Sequence, residues 1–588
     1  MDLSFAQVYC LVIVVFLVVA LYREIFNPSL TFFIATVALL LGGIITPEQT
    51  LNGLSNKQII IVFLLVLVTA GIRLIFGSEI FAKLFNPRLK PKQFLLRLML
   101  TVSSISAFLN NTPIVAFMIP YVKDWAKKTG NPASKFLIPL SFATILGGMI
   151  TVIGTSTNLV LNGLIGSYNL PVLGFEEFFY LGVIVTIVGW VYLYFIGYNL
   201  LPANENKIDE LRENLKEYIV ETEIARDSKL VGKTVKEAGL RNLQDVFLVE
   251  IIRGQKAISP VAPEEVLEPD DALFFSGNTQ SIYHLIREDN GLSLPKAEVH
   301  DIEDQFHFVD AVIPANSELI GKRIKDSNFR QRFNASIIAI HRDGKRVAGK
   351  VGETHLAGGD FLLLLSGDQK TNGISNDLFF LSVPKRIKQE DHGWKKYLGI
   401  GCMLLLIAGV IELIPLFTAC LVILCSLVFF GILTLSEIRK ELDLSLLLIL
   451  VCSLAIGIGL EKSGTADLIA QLIIGSVKSL GPVAVLSALF MVTVFLTCLI
   501  TNAAAVSIVF PIAMSIAEQM QLSHTPFFVA IAFAASGDFM TPIGYQTNLM
   551  IYGPGGYMFK DFMRVGTPLT IVYVLICVTF ISFFYGLV

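Results

Sequence analysis

Charged residues are scarce in this chain of 588 residues. Asp, Glu, Lys and Arg make up 16% of it, whereas hydrophobic residues make up 54% and the mean hydropathy is +0.68. Apolar runs of roughly 20 residues, the length that crosses a bilayer, recur along the chain. This composition excludes a soluble globular protein and predicts a polytopic α-helical membrane protein.

The sequence also lacks the patterns of common enzymes and of covalent frameworks. Neither His-Glu-x-x-His nor Gly-x-Ser-x-Gly nor a phosphate-binding loop occurs, so no enzyme activity is expected. The seven cysteines lie in apolar segments without the paired spacing of a disulfide framework or a zinc site. The net charge of −3 gives no sign of a nucleic-acid partner, and we expect the chain to be surrounded by membrane lipid.

The apolar runs form two sets of five, and a polar insert separates the sets. They fall at about 6–22, 29–48, 58–77, 135–165 and 176–200, and then at about 397–414, 417–436, 443–460, 525–552 and 565–588. Each set contains one more apolar stretch, interrupted by polar residues, at 97–122 and 484–517. We therefore predict a first transmembrane repeat at 1–203, a soluble insert, and a second transmembrane repeat at 391–588.

Basic residues orient the chain, because Lys and Arg accumulate in short cytoplasmic loops. Residues such as Lys92 and Lys123 flank 97–122 on both sides, so this stretch is predicted to enter and leave on the cytoplasmic side as a re-entrant hairpin. The loop at 166–176 has no Lys or Arg and is expected outside. This orientation places the insert in the cytoplasm, both chain termini outside, and the hairpin 484–517 entering from outside. The expected location is the plasma (inner) membrane.

A motif recurs in both sets. Asn111 recurs 391 residues later as Asn502, and Gly154 recurs 390 residues later as Gly544. In each set a polar hairpin tip is followed about 46 residues later by a Gly-x-x-Thr-Asn stretch. Because each set has an odd number of crossings, the two halves should lie in opposite orientation. The predicted fold is two inverted repeats of five transmembrane helices, each with a re-entrant hairpin, plus a cytoplasmic α+β insert.

The Gly-x-x-Thr-Asn stretches predict helices that break inside the membrane. Such breaks survive only where they are buried in protein or line a cavity. A break points a helix N-terminus, with about half a positive charge, toward the midplane, where an anion can bind without arginine. Free carbonyl and hydroxyl oxygens at the same breaks suit a hard cation such as sodium. Two tips and two breaks are therefore expected to form one central anion site flanked by cation sites.

These motifs resemble those of the divalent anion:sodium symporter family, whose members carry dicarboxylates, citrate or sulfate. The resemblance covers the membrane part of the chain. It implies sodium-coupled symport by an alternating-access mechanism of the elevator type, in a homodimer. It places the hairpin tips at Asn110-Asn111-Thr112 and Thr501-Asn502-Ala503, and the breaks at Gly154-Thr155-Ser156-Thr157-Asn158 and Gly544-Tyr545-Gln546-Thr547-Asn548.

The resemblance also assigns the site residues. The implied substrate-binding residues are Asn110, Asn111, Thr112, Thr157, Asn158, Thr501, Asn502, Thr547 and Asn548. Sodium sites are implied near Asn111, Gly154, Thr155, Ser156, Asn158, Asn502, Gly544, Gln546 and Asn548. Asp538 is a further candidate ligand for a cation or a proton, because an ionisable group at membrane depth is a functional candidate by default.

Both tips depart from the Ser-Asn-Thr pattern of the family. Asn110 stands in place of serine, and Ala503 stands in place of a residue with a hydroxyl group. The loss of that hydroxyl disfavours a ligand held by one carboxylate at each tip and favours a compact dianion, with sulfate first. A sodium-coupled di- or tricarboxylate symporter is the alternative within the class. An ion channel gated by the insert is the alternative outside it, although neither a selectivity filter nor a charged ring is recognisable.

The polar insert carries a repeat of its own. "SKLVGKTVK" from Ser228 recurs 89 residues later as "SELIGKRIK" from Ser317. Each copy predicts a helix, a β-hairpin that turns at Arg253-Gly254 or Asp343-Gly344, and a further buried strand. The copies, at 204–300 and 301–390, resemble TrkA-C domains, the ligand-binding modules of potassium-channel regulatory proteins. That resemblance implies regulation by a small ligand, such as a cyclic dinucleotide. A purely structural or dimerising insert is the alternative.

Overall fold

Apolar helices build the larger of two compact units in the computed structural model. That unit comprises residues 1–202, 386–551 and 559–588, and the other comprises 203–385 and 552–558. The structure describes residues 4–587 except 24, 27, 52–56, 77–88, 205–218, 241–242, 244–245, 255, 259–260, 278–291, 294–306, 315–316, 334, 343–344, 348–350, 367–373, 376–377, 381–392, 412, 442–443 and 543. The predicted domain boundaries at 300/301 and 390/391 lie outside the described residues.

The first half of the helical unit ends where the insert begins. Its helices are α1 Phe5–Tyr22, α2 Pro28–Leu41, α3 Pro47–Leu51, α4 Lys57–Phe76, α5 Pro91–Ser106, α6 Asn111–Thr129, α7 Ser134–Gly148, α8 Ser156–Ser167, α9 Phe175–Tyr192 and α10 Tyr198–Leu200. A π-helical turn, Leu193–Gly197, joins α9 to α10. Helices α5 and α6 flank the first predicted tip, and α7 and α8 flank the first predicted break.

The second half contains the corresponding helices. They are α11 Gly393–Val410, α12 Leu416–Phe429, α13 Leu435–Glu441, α14 Leu444–Lys462, α15 Thr465–Val477, α16 Pro482–Leu499, α17 Asn502–Met520, α18 Thr525–Ser536, α19 Gln546–Tyr552 and α20 Phe559–Phe584. Helices α16 and α17 flank the second tip, and α18 and α19 flank the second break. Both apolar runs that were expected to break are therefore interrupted between helices.

Several helices are long and apolar enough to cross a bilayer. Within the described part of the chain these are α1, α9 with its continuation to Leu200, α16, α17 and α20. Helices α14 and α15 meet at a bend of 71° and form one more span if they are counted together. This set fits a polytopic membrane protein. Since α16 and α17 are each long enough to cross, the re-entrant course of the hairpins stays a prediction.

Helix α15 was absent from the predicted apolar runs. Its sequence mixes apolar residues with Asp467 and Gln471, so it has a polar face and no continuous hydrophobic run. The polar face is used within the unit, where the Ser515 hydroxyl on α17 donates to Asp467 at 2.5 Å. Polar groups on an inward helix face make hydropathy an incomplete guide in this unit.

Two equivalent helices form the centre of the helical unit. Every residue of α7 except Lys135 is buried, and every residue of α18 except Thr525 is buried. In contrast, α9 and α20 keep large apolar side chains such as Ile187 and Leu575 exposed. A helix that is apolar on all sides is expected at such a central position, and exposed apolar faces are expected toward lipid. Helices α7 and α18 therefore supply a rigid support for the loops that follow them.

The smaller unit contains two antiparallel sheets of corresponding order. The strands are β1 Ile219–Ile224, β2 Val246–Arg253, β3 Lys256–Ile258, β4 Ala272–Gly277, β5 Leu292–Ser293, β6 His307–Val312, β7 Ala335–Arg342, β8 Lys345–Arg346, β9 Phe361–Ser366, β10 Ile374–Ser375 and β11 Leu378–Phe380. The sheet orders are β3-β2-β4-β1-β5 and β10-β11-β6-β9-β7-β8. Both β2 and β7 contain a register shift, at Leu248/Glu250 and Ile337/Ala339.

An arginine and a buried aspartate hold each sheet in the same way. Arg253 donates to both carboxylate oxygens of Asp271 at 2.9 Å, and Arg342 donates to both oxygens of Asp360 at 2.7 Å. Such paired hydrogen bonds compensate for burying the carboxylates. The predicted internal repeat of the insert is thus present in its contacts, while the assignment as TrkA-C domains stays a prediction.

The prediction that each copy of the insert repeat begins with a helix is wrong for the first copy. Residues 226–240 form turns there, and the second copy has only a 3₁₀ turn at Ile324–Asp326 and a short helix at Phe329–Phe333. Gly232 and Gly239 adopt φ values of +80° and +71°, which a right-handed helix does not contain. The apolar spacing that suggested a helix instead buries Leu230, Val235 and Leu240 from successive turns.

Candidate functional site

The first tip is held by a serine at the end of α5. The Ser106 hydroxyl lies 2.5 Å from Asn111 Oδ1 and 2.8 Å from the carbonyl oxygen of Thr144 on α7. Asn111, the first residue of α6, is buried, whereas Asn110 before it is exposed. The tip therefore presents Asn110 outward and fixes the Asn111 amide beneath it.

The second tip has the same arrangement. The Thr497 hydroxyl lies 2.8 Å from Asn502 Oδ1 and 2.8 Å from the carbonyl oxygen of Ala535 on α18. Thr501 is exposed, as Asn110 is in the first half. Ser106 and Thr497 were not among the predicted site residues. Each precedes a tip asparagine by five residues, and this spacing is the signal that could have revealed them.

The two breaks also share their hydrogen bonds. In the first, Asn158 Nδ2 donates to the Thr151 carbonyl oxygen at 3.1 Å; in the second, Asn548 Nδ2 donates to the Thr541 carbonyl oxygen at 3.1 Å. The backbone N–H of Gly154 donates to Thr151 Oγ1, and that of Gly544 donates to Thr541 Oγ1. Both asparagines, which were predicted as ligands, therefore brace the loop of their own break through their amide nitrogens.

The glycine of each break lies where no side chain fits. A methyl group on Gly154 would overlap the carbonyl oxygen of Gly148 and lie 2.7 Å from that of Ser106. A methyl group on Gly544 would overlap the Thr497 carbonyl oxygen and the Asp538 carboxylate. The glycines thus let each break pack against the neighbouring tip, which brings the predicted tip and break of each half together.

Three long helices at these tips and breaks begin without a side-chain cap. They are α6, α8 and α17, whose N-cap residues Asn110, Thr155 and Thr501 make no capping hydrogen bond. The first-turn N–H groups of a helix carry partial positive charge and need an acceptor. None of the four segments contains Lys or Arg. An anion that enters here would be recognised by backbone and amide donors rather than by a basic side chain.

The second break is hydrogen-bonded to the first half. Thr112 Oγ1 donates to Gln546 Oε1 at 3.0 Å. From α7, the Ser141 hydroxyl lies 2.9 Å from Thr547 Oγ1 and 2.7 Å from Asn548 Oδ1. The predicted residues of the first tip and the second break therefore meet in one cluster, and Ser141 is a member that the sequence did not suggest.

Tyr545 extends this cluster across the two halves. Its buried hydroxyl accepts a hydrogen bond from Asn111 Nδ2 at 2.6 Å and lies 3.1 Å from Thr155 Oγ1. Tyr545 belongs to the predicted second break but was assigned no role. Its aromatic side chain in an otherwise small and polar stretch was the only sign in the sequence.

Asp538 is a fully buried carboxylate next to the second break. Its oxygens accept hydrogen bonds from the Thr541 hydroxyl at 2.8 Å and the Thr541 backbone N–H at 3.2 Å, and they contact the Cys498 thiol at 3.4 Å. It forms no ion pair with a described Lys, Arg or His. A buried charge without a counter-charge is strongly unfavourable, so this carboxylate requires a cation or a proton.

The remaining predicted residues lie around this cluster. Thr157 is buried with its hydroxyl 3.5 Å from Thr155, and Ser156 is half-buried. Asn502 and Gln546 are half-buried as well. Each break packs against the tip of its own half, and the first tip is hydrogen-bonded to the second break. All four predicted segments therefore belong to one region of the helical unit.

Broken helices, uncapped N-termini and a buried carboxylate within an apolar helical bundle define the class as a membrane transporter. A sequence profile described as "Citrate transporter" (CitMHS) matches residues 13–417 and 403–586. The chain belongs to this citrate transporter family, which bears out the resemblance to transporters of citrate and other divalent anions.

Several full-length relatives are also transporters by name. An "Uncharacterized transporter" of Synechocystis is 31% identical over 98% of this chain and 97% of its own length. "Sodium/sulfate cotransporter 2" of Chlamydomonas reinhardtii is 24% identical over 93% of this chain and 86% of its own length. A third relative, also from Chlamydomonas, is 33% identical over 95% of this chain and 98% of its own length, and its name refers to a sulfur deprivation response.

Proposed function

We propose that this protein couples the entry of sodium to the uptake of a small divalent anion, with sulfate as the preferred substrate. The observation that carries the proposal is the matched pair of tips and breaks, in which α6, α8 and α17 begin without side-chain caps and without Lys or Arg. Helix N-termini and amide groups favour an anion there. The sodium/sulfate cotransporter among the relatives supports sulfate and sodium together.

Sodium would bind beside the anion, at places where side-chain and backbone oxygen atoms of a tip and a break lie close together. The first-half site takes the Asn111 side chain, the Thr155 hydroxyl and the backbone of Gly154. The second-half site takes Asn502, Gly544 and the Asp538 carboxylate, which supplies a full negative charge. Hard cations prefer such oxygen ligands, and a cation close to a dianion lowers the free energy of binding both. Each ion then raises the affinity for the other, as coupled transport requires.

The anion would be bound by the two tips and the neighbouring breaks. Asn110 and Thr501 are exposed at the helix starts, and Asn502 and Thr112 are half-buried beside them. Behind these residues lie four buried side chains, those of Thr157, Asn158, Thr547 and Asn548. Asn158 and Asn548 also hydrogen-bond to the loops of their own breaks. The inferred transport mechanism is alternating access of the elevator type by two inverted halves in a homodimer.

The insert would regulate transport rather than form its path. In the proposed topology it lies in the cytoplasm of the cell, while the protein spans the inner membrane and both termini lie outside. The internal repeat of two sheets supports a TrkA-C-like module with a small-molecule ligand, for which a nucleotide remains the prediction. No residue of the described insert identifies that ligand.

A di- or tricarboxylate symporter is the second candidate function. The observation that favours it is the family profile, which is described as a citrate transporter. Ala503 argues against it, because the third position of this tip has no hydroxyl group to hold a second carboxylate. An ion channel gated by the insert is the alternative from another class, and it predicts sodium currents that do not saturate with substrate.

The test is uptake of radiolabelled sulfate by the purified full-length protein in liposomes, with and without a sodium gradient. Uptake should require sodium, and unlabelled succinate and citrate should compete poorly. If at least three sodium ions accompany each dianion, an inside-negative potential should accelerate uptake, since one charge crossing 100 mV is worth about 2.3 kcal/mol. Sodium-independent uptake driven by a proton gradient would overturn the proposal.

A pair of serines on α5 provides a matched control for the site. Ser106 contacts the Asn111 side chain, whereas Ser104 is exposed and, among the described residues, bonds only the Leu100 carbonyl oxygen of its own helix. Ser106→Ala should lower sodium-dependent uptake at least tenfold, since the tip asparagine loses its anchor. Ser104→Ala should transport like the unmodified protein. Equal uptake by both variants would show that the first tip is not part of the transport site.

A further inference from the structure

The hydrogen bonds between the tips and breaks of the two halves are one-sided within the described residues. Tyr545 of the second break reaches Asn111 and Thr155 of the first half. At the position equivalent to Tyr545 the first half has the shorter Thr155 itself, and within the described residues it forms no hydrogen bond to Asn502. The difference in side-chain length leaves the two tip asparagines in different situations.

Asn111 has both ends of its side-chain amide occupied by protein. Its Oδ1 contacts the Ser106 hydroxyl and its Nδ2 donates to the Tyr545 hydroxyl. Asn502 has its Oδ1 anchored by Thr497 in the same manner, and within the described residues its Nδ2 has no hydrogen-bond acceptor. The amide nitrogen of the second tip is therefore available to a ligand, whereas that of the first tip is already bonded.

The neighbouring positions follow the same asymmetry. Thr112 bonds to Gln546, while the equivalent position of the second tip is Ala503, which has no polar side chain. Ser141 bonds to the second break, while its equivalent on α18 is Ala532. The polar side chains of Asn111 and Thr112 are thus bonded to the second break, and the described residues show no reverse hydrogen bond from the second tip to the first break.

We infer that Tyr545 determines substrate specificity by filling the first tip, so that the site accepts a compact tetrahedral oxyanion and rejects extended dicarboxylates. This inference rests on the proposed function. A ligand with two separated carboxylates needs a free donor at each end, and the phenol hydroxyl takes the buried donor of one end. A compact anion needs only Asn502, the exposed tip residues and the helix N-termini. Rejection follows because the aromatic ring fills the space next to Asn111 that a second carboxylate would need, whether or not its hydroxyl group is bonded.

Two variants separate the volume of the tyrosine from its hydroxyl group. Tyr545→Thr copies the residue of the first half and empties the space next to Asn111. Tyr545→Phe keeps the ring and removes only the hydroxyl group. Tyr192→Phe is the control. Tyr192 is also buried, and its hydroxyl donates to the Val565 carbonyl oxygen at 2.7 Å, but neither residue belongs to a tip or a break.

The measurement is sodium-dependent sulfate uptake by the full-length protein in liposomes, with succinate as the competing anion. For Tyr545→Thr the concentration of succinate that halves uptake, relative to the KM for sulfate, should fall at least tenfold. Tyr545→Phe should still reject succinate and keep its KM for sulfate within about threefold, and Tyr192→Phe should match the unmodified protein.

An unchanged succinate-to-sulfate ratio in a folded and active Tyr545→Thr protein overturns the inference. If that variant does not fold, Tyr545→Phe decides: a tenfold or larger rise in the KM for sulfate would mean that the hydroxyl binds sulfate itself, which also overturns it. Failure of the proposed function gives a separate result, because the unmodified protein then takes up no sulfate in response to sodium. An unmodified protein that prefers succinate contradicts the specificity role of Tyr545 while leaving coupled anion transport intact.

Discussion

The two halves of the helical unit share one set of hydrogen bonds, yet they differ in the side chains attached to it. Each half anchors a tip asparagine through a hydroxyl five residues earlier, and each braces its break through an asparagine and a threonine. Among the described residues of the tips and breaks, only the second half has a tyrosine that reaches the opposite tip, and only the second half has a buried carboxylate beside its break. The shared bonds maintain the scaffold, and the unshared groups are where we expect chemical specificity.

The two sheets of the insert likewise share their supporting contacts and differ in one buried side chain. Both sheets are held by an arginine and an aspartate 18 residues apart in the sequence, and both have a register shift in the second strand of the copy. At the shifted position the first sheet has Glu250 and the second has Ala339. A repeat that conserves its supports can therefore change one buried polar group without changing its framework.

The largest effect is expected from the tip asparagines. Asn502→Ala removes the amide nitrogen that we propose donates to the anion, and a lost hydrogen bond to a charged group costs about 1.5–3 kcal/mol, or roughly ten- to a hundredfold in affinity. Asn111→Ala should also lower transport strongly, but through the loss of its anchor to Ser106 and of an oxygen ligand of the proposed first sodium site. Uptake kinetics should show a raised KM for sulfate for Asn502→Ala and a raised sodium requirement for Asn111→Ala.

The control for the asparagines is Asn199→Ala in α10, where the exposed amide donates to the Phe195 carbonyl oxygen and to no other described residue. This variant should transport normally. Ordinary uptake by either tip variant would show that the tip does not belong to the transport site. Identical kinetic defects in both tip variants would show instead that the two halves contribute equally.

The next effect concerns the carboxylate that only the second half possesses. Asp538→Asn keeps the shape of the side chain and removes its charge, so the second-half site should bind sodium about tenfold more weakly. The dependence of sulfate uptake on sodium concentration measures this change. Asp467→Asn serves as the control, because Asp467 contacts Ser515 on α17 rather than a tip or break. An unchanged sodium dependence for Asp538→Asn would exclude the carboxylate as a sodium ligand.

A smaller effect should follow from replacing residues 206–390 with a flexible Gly/Ser linker. Such a linker connects the halves without imposing a conformation. Sodium-dependent sulfate binding should remain measurable, and the transport rate should change about fivefold or more, since regulatory coupling is typically about 1–3 kcal/mol. A properly inserted variant that binds no sulfate would assign part of the site to the insert. An unchanged rate would make the insert structural.

The sequence was a good guide to the tips and breaks and a poor one to what connects them. Glycine and asparagine in a fixed order showed where the helices are interrupted, because few other residues tolerate such backbone at membrane depth. The contacts of Tyr545 and Ser141 join residues about 400 positions apart, and neither residue type signals a site by itself. Helix α15 was missed because its polar face satisfies polar groups of α17.

The smallest effect on transport, and the clearest test of the repeat in the insert, is expected at Glu250. This side chain is buried, its carboxylate oxygen Oε2 has no hydrogen-bond partner among the described residues, and burial raises its pKa from 4.5 to about 7. An acid whose pKa is raised by folding is penalised when it ionises, so the first sheet loses stability as the pH rises from about 4.5 to about 7. The loss amounts to about 3 kcal/mol at most.

Glu250→Ala copies the second sheet and should abolish this pH dependence. The free energy of opening of β2, measured by hydrogen exchange of residues 246–253 in the full-length protein and corrected for intrinsic exchange, should rise at pH 8 and change little at pH 5. Glu264→Gln, at an exposed position of the same copy, should leave the profile unchanged. A Glu250→Ala sheet that is less stable than the unmodified one at pH 8 would mean that the carboxylate has a favourable partner. The two sheets would then differ in function at this position and not only in stability. We infer the same kind of difference between the two halves of the helical unit at Tyr545.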